Sequence, residues 1–259
     1  MSIQITTEQI KELRDSTGIS VMQCKRALEE AEGDMNKALA ILKKTSSDIA
    51  LKKGSREVKD GAVAIKADSK KAVLVSLHCE TDFVSRNEDF VNLLNKLADT
   101  AIADGIEKMK AGAKDLIDPI IQKTGENIQL GDAYEVSGDV VGSYVHNNKA
   151  GVIISLGGGD MNLAKDIAMH ITAMKPEYIT EAEIGEDAKK TMMEIFEKEI
   201  AQSDKPEEIK KKMLLGKIST YFKEKTLLEQ PFIKDGNQTV GSLLQKAGAK
   251  IKEVKRYSI

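Results

Sequence analysis

Residues 78–84, with the sequence HCETDFV, bring together a histidine, a cysteine, two carboxylates and a phenylalanine. The apolar run Val73–Leu77 before them predicts a buried strand, and the amphipathic segment Asp89–Ala103 after them predicts a helix. The segment is therefore a predicted strand-to-helix loop, and such loops are exposed and often carry function. We expect this loop to present Asp82–Val84 in succession to the solvent.

Phe83 allows two interpretations. Beside the carboxylate of Asp82 at the tip of a loop, it fits a wedge that enters a binding partner, with Asp82 as its polar guide. Alternatively, Phe83 folds back under the following helix as a core residue. Isolated apolar loop residues are common, so the local sequence leaves both interpretations open.

Residues 157–160, with the sequence GGGD, lie between a predicted strand and a predicted helix, where phosphate-binding loops occur. They lack the Lys-Ser/Thr pair of a P-loop and the spaced glycines of a dinucleotide site. Asp160 also places a negative charge at the helix start, where a phosphate would have to lie. This pattern favours a plain turn.

The histidines and cysteines show no metal-ligand spacing, and no nucleophile elbow supports a hydrolase triad. We therefore predict no metal, no cofactor and no catalytic residues. His78 lies on one face of a predicted strand and His170 lies among apolar helix residues, so both are expected to be structural. Cys24 is expected to be a core residue. His146, beside an Asn-Asn turn, is the histidine expected to be most exposed.

Composition excludes several functional classes. The chain has 259 residues, with 39 Lys and Arg against 41 Asp and Glu, a balance that argues against a nucleic-acid binder. Aromatic residues make up only 4%, and tryptophan is absent, so base-stacking platforms are not expected. Two distant cysteines indicate reduced thiols, and neither a leader nor a membrane-spanning apolar run is recognisable. The sequence therefore predicts a cytoplasmic protein.

Three short helices are predicted over residues 6–50. Capping boxes at Thr6-x-x-Gln9 and Ser20-x-x-Gln23 begin the first two, which end at Gly18 and near Gly33, and Asp34 caps the third. Helices this short are unstable alone, so their apolar faces must close into a bundle. The Lys-, Ser- and Gly-rich segment around residues 52–55 predicts a domain boundary.

Two strand hairpins follow, each leading into a helix. The first pairs residues 61–67 with 72–79, and the second pairs 142–146 with 151–156. Their second strands read VLVSL and VIISL, which predicts an internal repeat and two related lobes. Further strands are expected at residues 230–233 and 251–257, with a helix opening at Thr239.

Residues 181–203 and 207–228 predict two long helices joined by a short break, which is typical of an antiparallel helical hairpin. The predicted fold class is therefore α+β. A three-helix bundle precedes a core of two repeated subdomains, each an antiparallel sheet with helices, and the helical hairpin is inserted into the second.

Many short motifs in one order carry a highly specific resemblance. They are KELR at residues 11–14 with TG at 17–18, CKRAL at 24–28, TDFV at 81–84, GSYVH at 142–146, IAMH at 167–170, KP at 175–176, QPF at 230–232 and TVG at 239–241. In these motifs the sequence resembles the bacterial elongation factor Ts family along essentially its whole length. The resemblance implies a ubiquitin-associated-like (UBA-like) three-helix domain, a core of two related subdomains and a protruding helical hairpin. The domains expected on these grounds are 1–54, 55–140, 141–179 together with 229–259, and the hairpin 180–228.

The resemblance also implies which residues meet the partner, the translational GTPase elongation factor Tu. Thr81, Asp82, Phe83 and Val84 would enter the nucleotide-binding domain of Tu. Phe83 would be the wedge, and Asp82 would help to displace the region of Tu that holds Mg²⁺.

Further contacts are implied by the same resemblance. Arg14, Val21, Met22 and Lys25 match the contact surface of the N-terminal domain, and His146 matches a core residue near the phosphate-binding region of Tu. Longer family members carry an additional C-terminal helix, whose contacts we do not expect here.

The function implied is guanine-nucleotide exchange on elongation factor Tu, which would be bound in its GDP-bound and nucleotide-free states. No direct nucleic-acid or membrane partner is expected, and the sequence leaves open a homodimer or a heterotetramer with Tu. Two other classes remain as alternatives. A UBA-like adaptor or chaperone predicts that Asp82 and Phe83 are dispensable, and an enzyme requires turnover that depends on a titratable group.

Overall fold

The computed structural model describes residues 5–203 and 205–259. Residues 1–4 lie outside this described part. The expectation that no leader is present rests partly on them. The fold class is α+β, with helices and small antiparallel sheets, as predicted. No helix among the described residues combines the length and apolar character needed to cross a membrane.

Three helices open the chain: α1 (Thr7–Thr17), α2 (Val21–Glu30) and α3 (Met35–Lys53). Thr6 and Gln9 form the predicted reciprocal capping box, and Gly18 ends α1 in the left-handed conformation at φ 67°. The predicted second box is only half formed, because the Gln23 side chain bonds the Ser20 hydroxyl instead of the Ser20 backbone N–H. The apolar faces close into one cluster that includes the fully buried Cys24, as expected.

The first lobe follows, with β1 (Asp60–Ala67), β2 (Lys71–Cys79), α4 (Asp82–Ser85), α5 (Glu88–Asp104), α6 (Ile106–Thr124) and β3 (Ile128–Ser137). Its antiparallel sheet has the order β1-β2-β3, and the predicted first hairpin is confirmed. The patterns considered above did not predict α6 or β3. Pro119 interrupts the helical pattern of α6, and the β2–β3 register shifts near Val75 and Leu77.

The second lobe and its insertion contain β4 (Val140–His146), β5 (Ala150–Gly157), α7 (Met161–Met174), α8 (Glu186–Ala201), α9 (Glu207–Lys225), β6 (Pro231–Phe232), β7 (Asp235–Thr239), α10 (Val240–Lys246) and β8 (Lys250–Ser258). The sheet order is β4-β5-β8, and the predicted second hairpin and last strand are confirmed. The strand predicted at residues 230–233 is reduced to two residues.

The two sheets pack face to face, which explains why β2 and β5 are apolar on both sides. Along β2, Val73 and Val75 join the core under the helices, whereas Leu74 joins the layer between the sheets. Along β5, Ile153 faces the same inter-sheet layer, while its neighbours Val152 and Ile154 face α7. Strands buried on both faces read as continuous apolar runs rather than alternating ones. The two lobes are therefore built alike.

Helices α8 and α9 form an antiparallel hairpin, in which Glu199 pairs with Lys217 and Phe196 contacts Tyr221 edge to face. The prediction that the first helix begins at Glu181 was wrong. Residues 181–183 form a separate 3-10 turn, whose Glu183 side chain accepts a hydrogen bond from the Ile179 N–H at 2.8 Å. The α-helix α8 begins only after Gly185, which is its N-cap residue.

The domain boundary near residue 54 remains a prediction, as does the likeness of the N-terminal bundle to a UBA domain. Helix α3 runs continuously from the bundle to the first lobe, and its residues Ile49 and Ala50 pack in the core of that lobe. Polar bonds join α3 to α6, among them Ser47 Oγ to Asp118 Oδ2 at 2.6 Å. The bundle is thus attached through one shared helix.

His170 is structural, as predicted, and its surroundings fix it as a neutral ring. Its Nδ1 accepts a hydrogen bond from the Ile233 N–H at 3.2 Å, and its Nε2 donates to Gln230 Oε1 at 2.9 Å. The Gln230 amide in turn donates to the Glu224 carbonyl at 2.6 Å. Burial lowers the pKa of His170, against an opposing contribution from the Gln230 hydrogen bond.

This network predicts that acid destabilises the protein through His170. The unfolded ring takes up a proton below its usual pKa of 6.5, while the folded ring resists it, so stability is full above that pH and falls below it. One such proton contributes a slope of at most about 1.4 kcal/mol per pH unit. Urea unfolding from about pH 7.5 to about pH 5.5 should show a shallower decline in His170→Asn than in the wild type. Equal slopes would contradict the assignment.

Candidate functional site

Residues 81–85 form one helical turn rather than the predicted loop. The backbone N–H of Ser85 donates to the Thr81 carbonyl, and that of Arg86 donates to the Asp82 carbonyl, each at 3.2 Å. The expectation that Val84 is presented to solvent was also wrong. Its side chain is only 8% exposed and packs in the core of the first lobe, because a helical turn directs successive residues to different sides. A contact between Val84 and a partner remains a prediction.

Phe83 lies on the outer side of this turn and is 84% exposed, the largest exposed fraction among the large apolar side chains of the described residues. The alternative in which it folds back into the core is therefore excluded in this structure. Val84 and Phe90, which both follow it in the sequence, lie in the core of the first lobe. A bare aromatic ring on a short, anchored turn is a surface that favours burial against another molecule.

The carboxylate of Asp82 forms an ion pair with the Arg86 guanidinium, at 3.3 Å between Oδ2 and Nη2. Both side chains are largely exposed, at 49% and 76%, so the pair is screened by water. Such a pair exchanges partners at little cost. Asp82 is therefore free to turn towards another molecule that approaches Phe83.

Glu126, on the connection between α6 and β3, holds the beginning of the turn. Its Oε1 accepts from the Thr81 hydroxyl at 2.6 Å, and its Oε2 accepts from the Thr81 N–H at 3.0 Å. The neighbouring Glu80 accepts from the Asn127 N–H at 2.6 Å, which ties the same two chain segments together a second time. The beginning of the turn is thus attached to the connection between α6 and β3 of the same lobe.

His146 lies on the other lobe, at the tight turn between β4 and β5. Asn147 and Asn148 adopt positive φ angles of 49° and 55°, and the Lys149 N–H donates to the His146 carbonyl at 2.9 Å. Residues 147–149 form the turn of this hairpin, and asparagine tolerates positive φ better than most other residues do. The His146 ring is exposed, as predicted, and stacks on Tyr144 with a centroid separation of 6.2 Å.

Lys149 joins the two turns across the lobes. Its ammonium donates to Asp60 Oδ1 at 2.6 Å, to the Gly61 carbonyl at 2.7 Å and to Ser85 Oγ at 3.2 Å. A cavity of about 540 Å³ opens between the two turns. It is lined by Gly61, Ala62, Ser85, Arg86, Val91, Asn147, Asn148 and Lys149. The structure therefore brings the Phe83 turn and the His146 turn to the same cavity.

The remaining predicted contact residues lie on the N-terminal bundle. Arg14 lies on α1, while Val21, Met22 and Lys25 lie on the first turns of α2, and all four side chains are exposed. The side chains of Val21 and Met22 are 51% and 62% exposed, so both are accessible to another molecule. Their role in binding remains a prediction.

His78 and Cys79 were the other candidates for chemistry in the opening segment. His78 Nε2 lies 2.8 Å from the Tyr257 hydroxyl, so this histidine has a structural partner. Burial raises the pKa of the Cys79 thiol to about 12, with Asp60 and Glu126 acting in the same direction. A thiol of this kind stays protonated at neutral pH and is a poor nucleophile.

We expect both thiols to be protected in the folded protein. Cys79 and Cys24 are both fully buried, and only thiolates react readily with thiol reagents. A chromogenic disulfide reagent at about pH 8 should titrate almost no thiol in the native protein, and both in urea. A fast native reaction of either cysteine would contradict the burial described above.

Other candidate sites do not gain support. Among the described residues, no group of three or more His, Cys, Asp or Glu side chains is arranged to hold a metal ion. In the glycine-rich segment at residues 157–160, Gly157 ends β5, and Gly158 and Gly159 form a bend with positive φ angles of 88° and 76°, in line with the predicted turn. Asp160 accepts from the Leu163 N–H at 2.8 Å and so occupies the start of α7 itself.

Glu126 and Lys149 were missed by the sequence patterns. Both are distant in sequence from the turn they hold, and a glutamate after a helix or a lysine after a hairpin turn is ordinary. The Asn-Asn turn was recognisable, but the direction of the lysine after it was not. Glu126 meets Thr81 through the folding of the first lobe, whereas Lys149 meets Asp60 and Ser85 through the packing of the two lobes.

The comparisons with known proteins agree along the chain. The family model described as elongation factor TS matches residues 80–259. Elongation factor Ts of Hahella chejuensis is 42% identical over 98% of this chain and 92% of its own length. Elongation factor Ts of Thioalkalivibrio sulfidiphilus is 38% identical over 98% of this chain and 92% of its own length. That of Pseudomonas fluorescens is 39% identical over 95% of this chain and 88% of its own length. The chain therefore belongs to the elongation factor Ts family.

Proposed function

We propose that the chain is a guanine-nucleotide exchange factor for elongation factor Tu. Membership of the elongation factor Ts family supports this role. The single observation that carries the proposed site is Phe83, an aromatic ring 84% exposed on a turn that is held at both ends. A rigid, exposed aromatic residue enters a partner with little loss of its own conformational freedom.

The proposed mechanism uses binding energy rather than reaction chemistry. The turn at residues 81–84 enters the nucleotide-binding domain of Tu, with Phe83 as the wedge. Asp82 leaves its exposed ion pair with Arg86 and turns towards the region that positions Mg²⁺. A magnesium ion in such a site neutralises the phosphates and requires nearly ideal octahedral geometry, so a small displacement of its surroundings weakens GDP.

Release of the exchange factor follows from the same coupling. If this chain weakens GDP binding to Tu by some factor, GDP weakens the binding of this chain by that factor. Binding of a new nucleotide, including GTP, therefore releases the exchange factor. The chain acts catalytically in this cycle without being an enzyme in the sense of changing covalent bonds.

We propose that His146 supports the Phe83 turn from the second lobe, where the hairpin turn that follows it lines the shared cavity. Its exposed ring, stacked on Tyr144, approaches the phosphate-binding region of Tu when the Phe83 turn enters. Arg14, Val21, Met22 and Lys25 form a second contact through the N-terminal bundle. This bipartite contact binds Tu in its GDP-bound and nucleotide-free states.

The exchange function is tested by release of a fluorescent GDP analogue from Tu in stopped flow. The chain is added below the Tu concentration, with excess unlabelled nucleotide to prevent rebinding. We expect each molecule of the chain to release many molecules of GDP. No acceleration over Tu alone would reject the exchange function and favour an adaptor that binds another protein.

A further inference from the structure

The Phe83 turn is too short to hold its own shape. A helix of four residues lies far below the length at which helices are stable alone. Its N-cap residue, Thr81, makes no side-chain capping bond to the turn. Both of its donors point instead to the Glu126 carboxylate. The conformation of the turn at its beginning therefore depends on a residue outside it.

The end of the turn depends on the other lobe. Ser85 Oγ donates to the Asp82 carbonyl and accepts from the Lys149 ammonium, each at 3.2 Å. The same ammonium also binds Asp60 and the Gly61 carbonyl, so all three of its protons are used. Lys149 is therefore held in one direction, although 36% of its side chain remains exposed.

The position of Lys149 links Phe83 to His146. Lys149 donates its backbone N–H to the His146 carbonyl and so closes the turn that follows His146. Its own carbonyl accepts from the Ile259 N–H at 2.8 Å, and the Asn148 carbonyl accepts from the Val63 N–H at 2.8 Å. The bond from Val63 on β1 thus ties the hairpin turn to the first lobe, while the bond from Ile259 ties it to the end of its own lobe.

We propose that Glu126 and Lys149 are positioning residues that hold the Phe83 turn in a fixed position relative to His146 before the partner binds. This inference rests on the proposed exchange function. Glu126 acts through Thr81 and Lys149 acts through Ser85, and neither needs to touch the partner. A turn that is already ordered in the free chain loses less conformational entropy when Tu binds. The complex in which GDP is weakened therefore forms more readily.

The test uses Glu126→Gln and Lys149→Met, which preserve size while removing the charge. The glutamine amide retains one acceptor for the two donors of Thr81, and the methionine side chain retains an apolar stem without donors. We expect each change to lower the maximal rate of GDP release at saturating chain by about tenfold, the usual effect of losing a charge-assisted hydrogen bond. The matched controls are Glu107→Gln and Lys108→Met, whose side chains form exposed pairs on α5 and α6.

A second readout separates positioning from a general structural role. On a Phe83→Ala background, Glu126→Gln and Lys149→Met should lower the rate little further, because they act through the Phe83 turn. A full further loss would overturn the proposal, and so would variants that match their controls. If Glu126→Gln fails to fold, Lys149→Met decides the same question from the other end of the turn. Failure of the wild type to accelerate release would reject the exchange function itself.

Discussion

Phe83→Ala is expected to remove most of the exchange activity while leaving the folded protein intact. The ring is 84% exposed, so its truncation should change the free energy of unfolding by no more than about 0.5 kcal/mol. In the complex, the same ring is expected to be the central aromatic anchor. Truncation of such an anchor costs about 2 kcal/mol or more, which corresponds to roughly thirtyfold in rate or affinity.

The measurement is the rate of GDP release as a function of chain concentration, for the wild type and Phe83→Ala. The loss should fall mainly on the maximal rate, because the N-terminal bundle still binds Tu. Circular dichroism and urea unfolding provide the check on folding. An exchange rate within about twofold of the wild type would reject Phe83 as the wedge, while leaving the family assignment unchanged.

Phe90→Ala is expected to have the opposite effects. Phe90 is fully buried in the core of the first lobe, on the helix that follows the turn. Removing a buried phenylalanine side chain costs about 3–5 kcal/mol, since the lost contacts leave a cavity that the surroundings fill only in part. That is a large share of the typical stability of about 5–15 kcal/mol.

This pair makes a matched comparison, because the same substitution is made on neighbouring helices of one lobe. Urea unfolding should show a large loss for Phe90→Ala and almost none for Phe83→Ala. At temperatures where Phe90→Ala remains folded, it should keep most of its exchange activity. A loss of stability below about 1 kcal/mol for Phe90→Ala would contradict the packing of the first lobe.

Much of the fold was predictable because it depends on local pattern. The runs VLVSL and VIISL, each after a turn and before a helix, revealed the internal repeat, and the structure shows why both are apolar throughout. Thr6, Gly18 and Asp34 marked helix ends through backbone chemistry that is local to a few residues. Helix α6 and strand β3 escaped prediction, since Pro119 and an irregular register obscured their periodicity.

The candidate site was predictable in part. The sequence identified the segment with Phe83 and the exposed His146, and it left open whether Phe83 was buried. It placed Val84 on the surface, where a loop would present it, although a helical turn directs it into the core. Glu126 and Lys149 became visible only in the folded structure, because their partners lie 45 and 64 positions away along the chain.

The most direct test of the central claim is an equilibrium measurement of how this chain and GDP affect one another on Tu. The GDP affinity of Tu is measured alone and with saturating chain, for the wild type and Phe83→Ala. We expect the wild type to weaken GDP strongly and Phe83→Ala to weaken it far less, although it still binds nucleotide-free Tu. The same weakening of GDP by both proteins would contradict the account, because the Phe83 turn would then not be the element that loosens the nucleotide.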